Sequence, residues 1–217
     1  MGFALAPLWS RVLTRSTIPA SVVRRSVLTL VLCTSGCHSI PPVDTKPLDN
    51  VGMTYDSIRQ LAALEITTSE VAEVATARAS GLSDATCVAL FKIFRNRKQP
   101  FDVGEDAAGL FRARVSEDTI LELARINQLG LSAGEFQAMR LAGLSDATVL
   151  AVARHRAMNQ PVLSGASLAG LKNAGVREST LLELARRGVP DSKAGEITAF
   201  RRHGGSDAEI LGRFTGS

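Results

Sequence analysis

The sequence predicts an all-α fold of tandem short helical hairpins, in about two and a half repeats of roughly 62 residues packed as a compact bundle or a short solenoid. Three observations lead there. The hexapeptide Gly-Leu-Ser-Asp-Ala-Thr occurs at Gly81–Thr86 and again at Gly143–Thr148. Distant residues agree at one offset: Pro100 with Pro161, Gly104 with Gly165, Leu110 with Leu171, Val115 with Val176 and Thr119 with Thr180 are all 61 apart. Apolar residues between the turns follow i, i+3, i+4 spacing, and little alternates with period two, so no sheet is expected.

The chain opens with 37 residues that contain four arginines (Arg11, Arg15, Arg24, Arg25) and no Asp or Glu. An apolar run, Val27 to Cys33, follows the arginine pair, and Thr34-Ser35-Gly36-Cys37 closes the stretch. A basic region, a short apolar core and small residues before a cleavage point describe an export signal. The run is too short for an ordinary spanning helix of about 20 residues. Ser35-Gly36-Cys37 resembles the lipobox of bacterial lipoproteins, with Thr34 where that class usually has Leu. The resemblance implies acylation of Cys37 as the mature N-terminus. With His38 after the cysteine, it also implies a periplasm-facing place in the cell envelope, at the outer membrane. Arg24-Arg25-Ser26-Val27-Leu28 is also similar to a twin-arginine export signal. Cleaved secretion, an uncleaved anchor and an Arg-rich mitochondrial transit peptide are the competing readings. The basic region is long for a lipoprotein, and a start codon at Val22 or Val23 would give an ordinary leader.

Three segments follow: residues 1–37 as signal peptide, 38–55 as a Pro-containing flexible tether (Pro41, Pro42, Pro47), and 56–217 as the helical repeat domain. One unit runs from about Leu61 to Arg125, the next from about Ile126 to Arg186, and a half-unit completes the chain. The first helix of each unit is expected to start at a capping box, Thr67 with Glu70 or Ser132 with Glu135. Hydrophobic staples, Ile66 with Val71 and Leu131 with Phe136, accompany them. The second helix starts at the repeated hexapeptide and runs to about Arg95 or Arg156. In that turn Gly143 is a helix stop, Leu144 with Val149 a staple, and Ser145 a cap for the next helix. Leu82 with Cys87, Val115 with Ile120 and Val176 with Leu181 repeat the staple, although Arg114 replaces the glycine and Arg177 the serine. The third helix is short and ends near Arg112 or Asn173. The fourth carries Ile120, Leu123 and Ala124, or Leu181, Leu184 and Ala185, on one face. A last copy, Gly204–Ile210, has Ser206 and Glu209 as a capping box and Gly205 at the staple position.

Charge and composition bound the function. The chain has 25 basic and 21 acidic residues. Four of the basic residues and none of the acidic ones precede Cys37, so the remainder is formally neutral and carries no field to draw it to nucleic acid. Beyond Cys37 the only cysteine is Cys87, at a staple position, which suits a small buried apolar residue. His155 and His203 stand beside arginines at helix ends, and His38 is in the tether. Asp84, Asp146 and Asp207 follow caps and oppose the helix dipole. No metal set, nucleophile-base pair or phosphate loop is recognisable. The expected protein is therefore not an enzyme and has no cofactor.

Leu141-Ala142-Gly143-Leu144 and its flanking helices resemble a helix-hairpin-helix motif, whose turn offers backbone N–H groups to phosphate. Ser83 or Ser145 stands where that family has a second glycine. The favoured expectation is a lipid-anchored envelope protein that meets the membrane through Cys37 and presents its repeats to a protein partner or cell-wall material. Arg95, Arg97, Arg154 and Arg156 are the candidate contact residues. A nucleic-acid-binding module and an accessory subunit of a periplasmic enzyme are the alternatives.

Overall fold

The computed structural model describes residues 43–216. Residues 1–42, and with them the expected signal peptide and Cys37, lie outside the described residues. The described residues form twelve α-helices and no strand. The helices come in six hairpins. The first is α1 (Lys46–Asn50) with α2 (Tyr55–Ala63), followed by α3 (Thr68–Ala79) with α4 (Asp84–Asn96) and α5 (Gly104–Arg112) with α6 (Glu117–Arg125). Then come α7 (Leu129–Leu141) with α8 (Asp146–Ala157), α9 (Gly165–Asn173) with α10 (Glu178–Arg186), and α11 (Ala194–Arg202) with α12 (Asp207–Phe214). A single 3-10 turn, Asp191–Lys193, precedes α11.

The hairpins stack in one direction. Each odd-numbered helix packs on the odd-numbered helices before and after it, and the even-numbered helices do the same in a second layer. This is the nearest-neighbour plan of a solenoid. The 62-residue duplication is thus two hairpins, one long and one short. The core lies between the layers, where Leu61, Leu90, Leu123, Val152 and Leu184 of successive even helices are fully buried. Isolated helices of 5 to 13 residues are marginal in water, so this burial is what holds them.

Local sequence sets each turn. Every helix from α1 to α11 is followed, just past its C-cap, by one residue in the left-handed region: Gly52, Glu65, Gly81, Lys98, Arg114, Asn127, Gly143, Asn159, Gly175, Gly188 and Gly204. The next N–H then bonds back to the helix, as Leu144 does to the Met139 carbonyl at 3.0 Å. The four staple pairs around the even-helix caps are buried, Cys87 among them. Ser83, Ser116, Ser145 and Ser206 cap α4, α6, α8 and α12 as read, and the Thr67–Glu70 and Ser206–Glu209 boxes form.

Two expectations are corrected. Residues 46–55 are no tether: α1 packs on α3, and Leu48 is fully buried. The repeat domain therefore begins upstream of residue 56. The second correction concerns α7. Ser132 and Glu135 form no capping box, because the helix starts at Leu129, which is buried, with Gln128 at the cap position. Leu131 is 79% exposed and staples nothing. Glu135 corresponds instead to Glu73, 62 residues earlier. Each receives the N–H of a glycine that opens the next odd helix, Gly104 for Glu73 and Gly165 for Glu135.

At the far end of the stack Arg213 lies over the Phe200 and Phe214 rings, 5.3 and 5.5 Å from their centroids. Gly205 lacks a staple side chain because a Cβ there would sit 2.2 Å from the Phe200 ring.

Candidate interaction surface

The even helices start along one edge of the stack, and their first turns form a hydrogen-bonded ladder. The first residue of each even-numbered helix from α4 to α12 is an acid: Asp84, Glu117, Asp146, Glu178 and Asp207. Each accepts the backbone N–H of the N-cap residue one hairpin earlier. Thr54 donates to Asp84 at 2.7 Å, Ser83 to Glu117 at 3.1 Å, Ser116 to Asp146 at 3.0 Å, Ser145 to Glu178 at 2.8 Å and Arg177 to Asp207 at 3.3 Å. Buried threonines two residues further into the helices join in. Thr86 donates to Glu117, Thr119 to Asp146 at 3.2 Å and Thr148 to Glu178 at 2.7 Å. The ladder ends because α2 begins with Tyr55, which has no carboxylate, and because Ser206 donates its N–H to its own Glu209 at 2.8 Å.

The ladder tunes its acids. Burial pushes the Asp84, Glu117 and Glu178 carboxyls up, but hydrogen bonds from the preceding cap and neighbouring cations (Arg78 for the first two, Lys172 for Glu178) outweigh it, leaving all three below the usual range. Arg78 reaches Asp84 at 2.7 Å, and Arg140 Nε lies 3.1 Å from Asp146. The same cations tie the odd layer together. Arg78, Arg140, Lys172 and Arg201 donate to the carbonyls of Gly52, Arg114, Gly143 and Gly175, each the left-handed turn residue of an earlier hairpin.

This ladder bears on the helix-hairpin-helix resemblance. The N–H groups of Ser83 and Ser145, at the turns of that motif, are donated to Glu117 and Glu178. A carboxylate occupies the place a phosphate would take.

The opposite edge holds the four candidate arginines, and all four bridge helices. Arg95 contacts Glu70 at 2.8 Å and the Glu65 carbonyl at 3.0 Å, and lies 4.9 Å over the Phe91 ring. Arg97 donates to the carbonyls of Ala124 and Arg125 one hairpin on. Arg156 pairs with Glu135, and Arg154 reaches Glu122 at 3.4 Å. Burial pushes the Glu70 carboxyl up, but N–H groups from Phe101 and Thr67, the Thr67 hydroxyl and Arg95 bring it below its ordinary value. These arginines do not gather into one site. His155 Nε2 faces the Arg186 carbonyl at 2.9 Å, and His203 stands at the C-cap of α11. Burial pushes the Cys87 thiol up to about 12. Among the described residues no group of three or more His, Cys, Asp or Glu could hold a metal, and no helix is long and apolar enough to cross a membrane.

The outer face of the even layer carries a row of leucines and a row of cations. The fifth residue of α6, α8, α10 and α12 is a half-buried leucine: Leu121, Leu150, Leu182 and Leu211. The ninth position carries Lys92, Arg125, Arg154 and Arg186 on successive helices from α4 onward. The sequence signal for this face was the fixed spacing of about one hairpin between those cations. A groove of about 310 Å³ lies between α8 and α10, floored by Ala147, Leu150 and Ala151 and edged by Arg154, Arg186 and Met158. The same register recurs at Ala85, Val88, Ala89 and Lys92 beside α2. No protein-family model, curated protein or solved structure matches the chain.

Proposed function

We propose that the protein is a non-enzymatic, lipid-anchored component of a bacterial cell envelope, held through an acylated Cys37 at the periplasmic side of the outer membrane, whose stacked hairpins present the outer face of the even layer to a protein partner. The leader carries this reading: an acid-free basic stretch, a short apolar run and Ser35-Gly36-Cys37. The repeat domain supports it by how its polar groups are used. The five first-turn acids hold one hairpin to the next, and Arg95, Arg97, Arg154 and Arg156 bridge helices of the stack. Extended stacks of this kind often bind through surfaces rather than clefts. Membrane fractionation and intact-mass analysis of the native protein and the Cys37→Ser variant test the anchor. The native protein is expected in the membrane with an acylated N-terminal cysteine, and the variant in the soluble fraction. Membrane retention of the variant with an unmodified N-terminus would sink the reading.

A further inference from the structure

We infer that the groove between α8 and α10 docks an acidic, apolar peptide segment of a partner protein, with an apolar side chain on its alanine floor and carboxylates on Arg154 and Arg186. The inference refines the proposed surface and rests on that reading for the kind of partner.

The floor is built for a side chain. Ala147 is exposed and small, Ala151 is buried beneath it, and Leu150 and Met158 supply apolar walls, Met158 being 58% exposed. A space of about 310 Å³ is at the lower end of the range that takes a ligand group. The rim is built for negative charge. Glu122 serves two arginines at once, Arg125 at 3.5 Å and Arg154 at 3.4 Å. Glu183, the nearest acid in sequence to Arg186, is engaged by Arg187 at 2.6 Å. Among the described residues Arg186 has no carboxylate partner. The groove thus has more guanidinium than carboxylate around an uncharged floor. A planar guanidinium takes a carboxylate through two parallel N–H bonds, which gives direction as well as charge. Lys92 and Arg125 continue the row on α4 and α6, so an occupant running along the stack meets one cation per hairpin, roughly every 8–10 Å at ordinary helix spacing.

Panning the full chain against a random peptide library displayed on phage tests this, followed by binding of the synthesised winners by fluorescence anisotropy. The expected consensus is an apolar residue flanked by Asp or Glu. Its affinity should fall about tenfold or more in the Arg154→Glu/Arg186→Glu variant, and likewise in Ala147→Glu, which fills the floor. All substituted positions are exposed, and unchanged circular dichroism melts confirm that the variants fold. No acidic enrichment, or winners indifferent to both variants, overturns the inference. Vesicles of phosphatidylglycerol form a parallel arm: capture by the native chain, lost in the double variant while acidic peptides fail to bind, would assign the face to anionic lipid and overturn the peptide. The Cys37→Ser chain enters the same assay, so a failed anchor and a failed groove give different results.

Discussion

Glu178, the first residue of α10, accepts the backbone N–H of Ser145, the cap of α8, at 2.8 Å. It also receives the buried Thr148 hydroxyl at 2.7 Å. One carboxylate therefore closes the start of the helix in front of it, besides favouring its own helix dipole. Glu178→Ala should lower stability by about 1–3 kcal/mol, because it strands a donor and a buried hydroxyl together. Urea unfolding measures this. In a double-mutant cycle with Thr148→Val the two losses should be less than additive, since they share one interaction. Additive losses would show that the ladder bond contributes nothing.

The ladder makes stability fall in acid. The Asp84, Glu117 and Glu178 carboxyls are held below their ordinary values in the fold, so the unfolded chain binds more protons as pH drops. Their contribution is complete above the unfolded pKa values, about 4, and is lost as pH falls through the folded ones. Unfolding followed from about pH 6 down to about pH 2 should show a decline, concentrated below about pH 4, that is smaller in Glu178→Gln than in the native chain.

Asp106 should behave in the opposite sense. Burial, then Glu73, Asp102 and Glu105 nearby, push its carboxyl up, so the fold favours its protonated form. That contribution is present in acid and disappears as pH rises through the folded pKa. Asp106→Asn should therefore raise the melting temperature at pH 7 and leave it nearly unchanged near pH 4. A drop at pH 7 would contradict the assignment.

Two glycine substitutions should have opposite signs. A Cβ at Gly104 would lie 2.1 Å from the Glu73 carbonyl oxygen, a backbone atom that cannot step aside. Gly104→Ala should cost about 1–3 kcal/mol by forcing α3 and α5 apart. Gly134 lies inside α7 with nothing within 4 Å of the added carbon. Gly134→Ala should stabilise by about 0.5–1 kcal/mol through helix propensity. Thermal melts of the pair check both signs.

Cys87 is fully buried, with a thiol pushed up to about 12. Its alkylation should proceed only through opening of the fold. Peptide mapping after iodoacetamide should find it unlabelled in buffer and labelled in urea. Rapid labelling of the native protein would mark it as an accessible thiol.

The turns were legible in the sequence, since stop, staple and cap are local chemistry. Gly143, Leu144 and Ser145 act as read. The start of α7 was not, because Ser132-x-x-Glu135 has the letters of a capping box while burial of Leu129 and the bond from Gly165 to Glu135 decide the register. Both depend on neighbours packed in space. The ladder was hidden for a similar reason. An acid after a cap already has a dipole explanation, and its second partner lies about one hairpin upstream. A signal did exist: Thr86, Thr119, Thr148 and Thr180 place a hydroxyl at the same buried position of four helices, where an acceptor must be found. Equally hidden was that the candidate contact residues Arg95 and Arg97 bridge helices, Arg95 to Glu70 and Arg97 to the Ala124 carbonyl, because those partners lie 25 or more residues away.

Every bond of the ladder runs the same way, from a cap in one hairpin to an acid in the next. A ribosome makes the donors first. Each hairpin leaves it with one open N–H, which waits only for the following hairpin to emerge. At α12 the pattern changes, and Glu209 closes Ser206 from within the same helix. Assembly in the order of synthesis therefore never leaves more than one of these caps unanswered, and the cap of α12 is answered by its own helix.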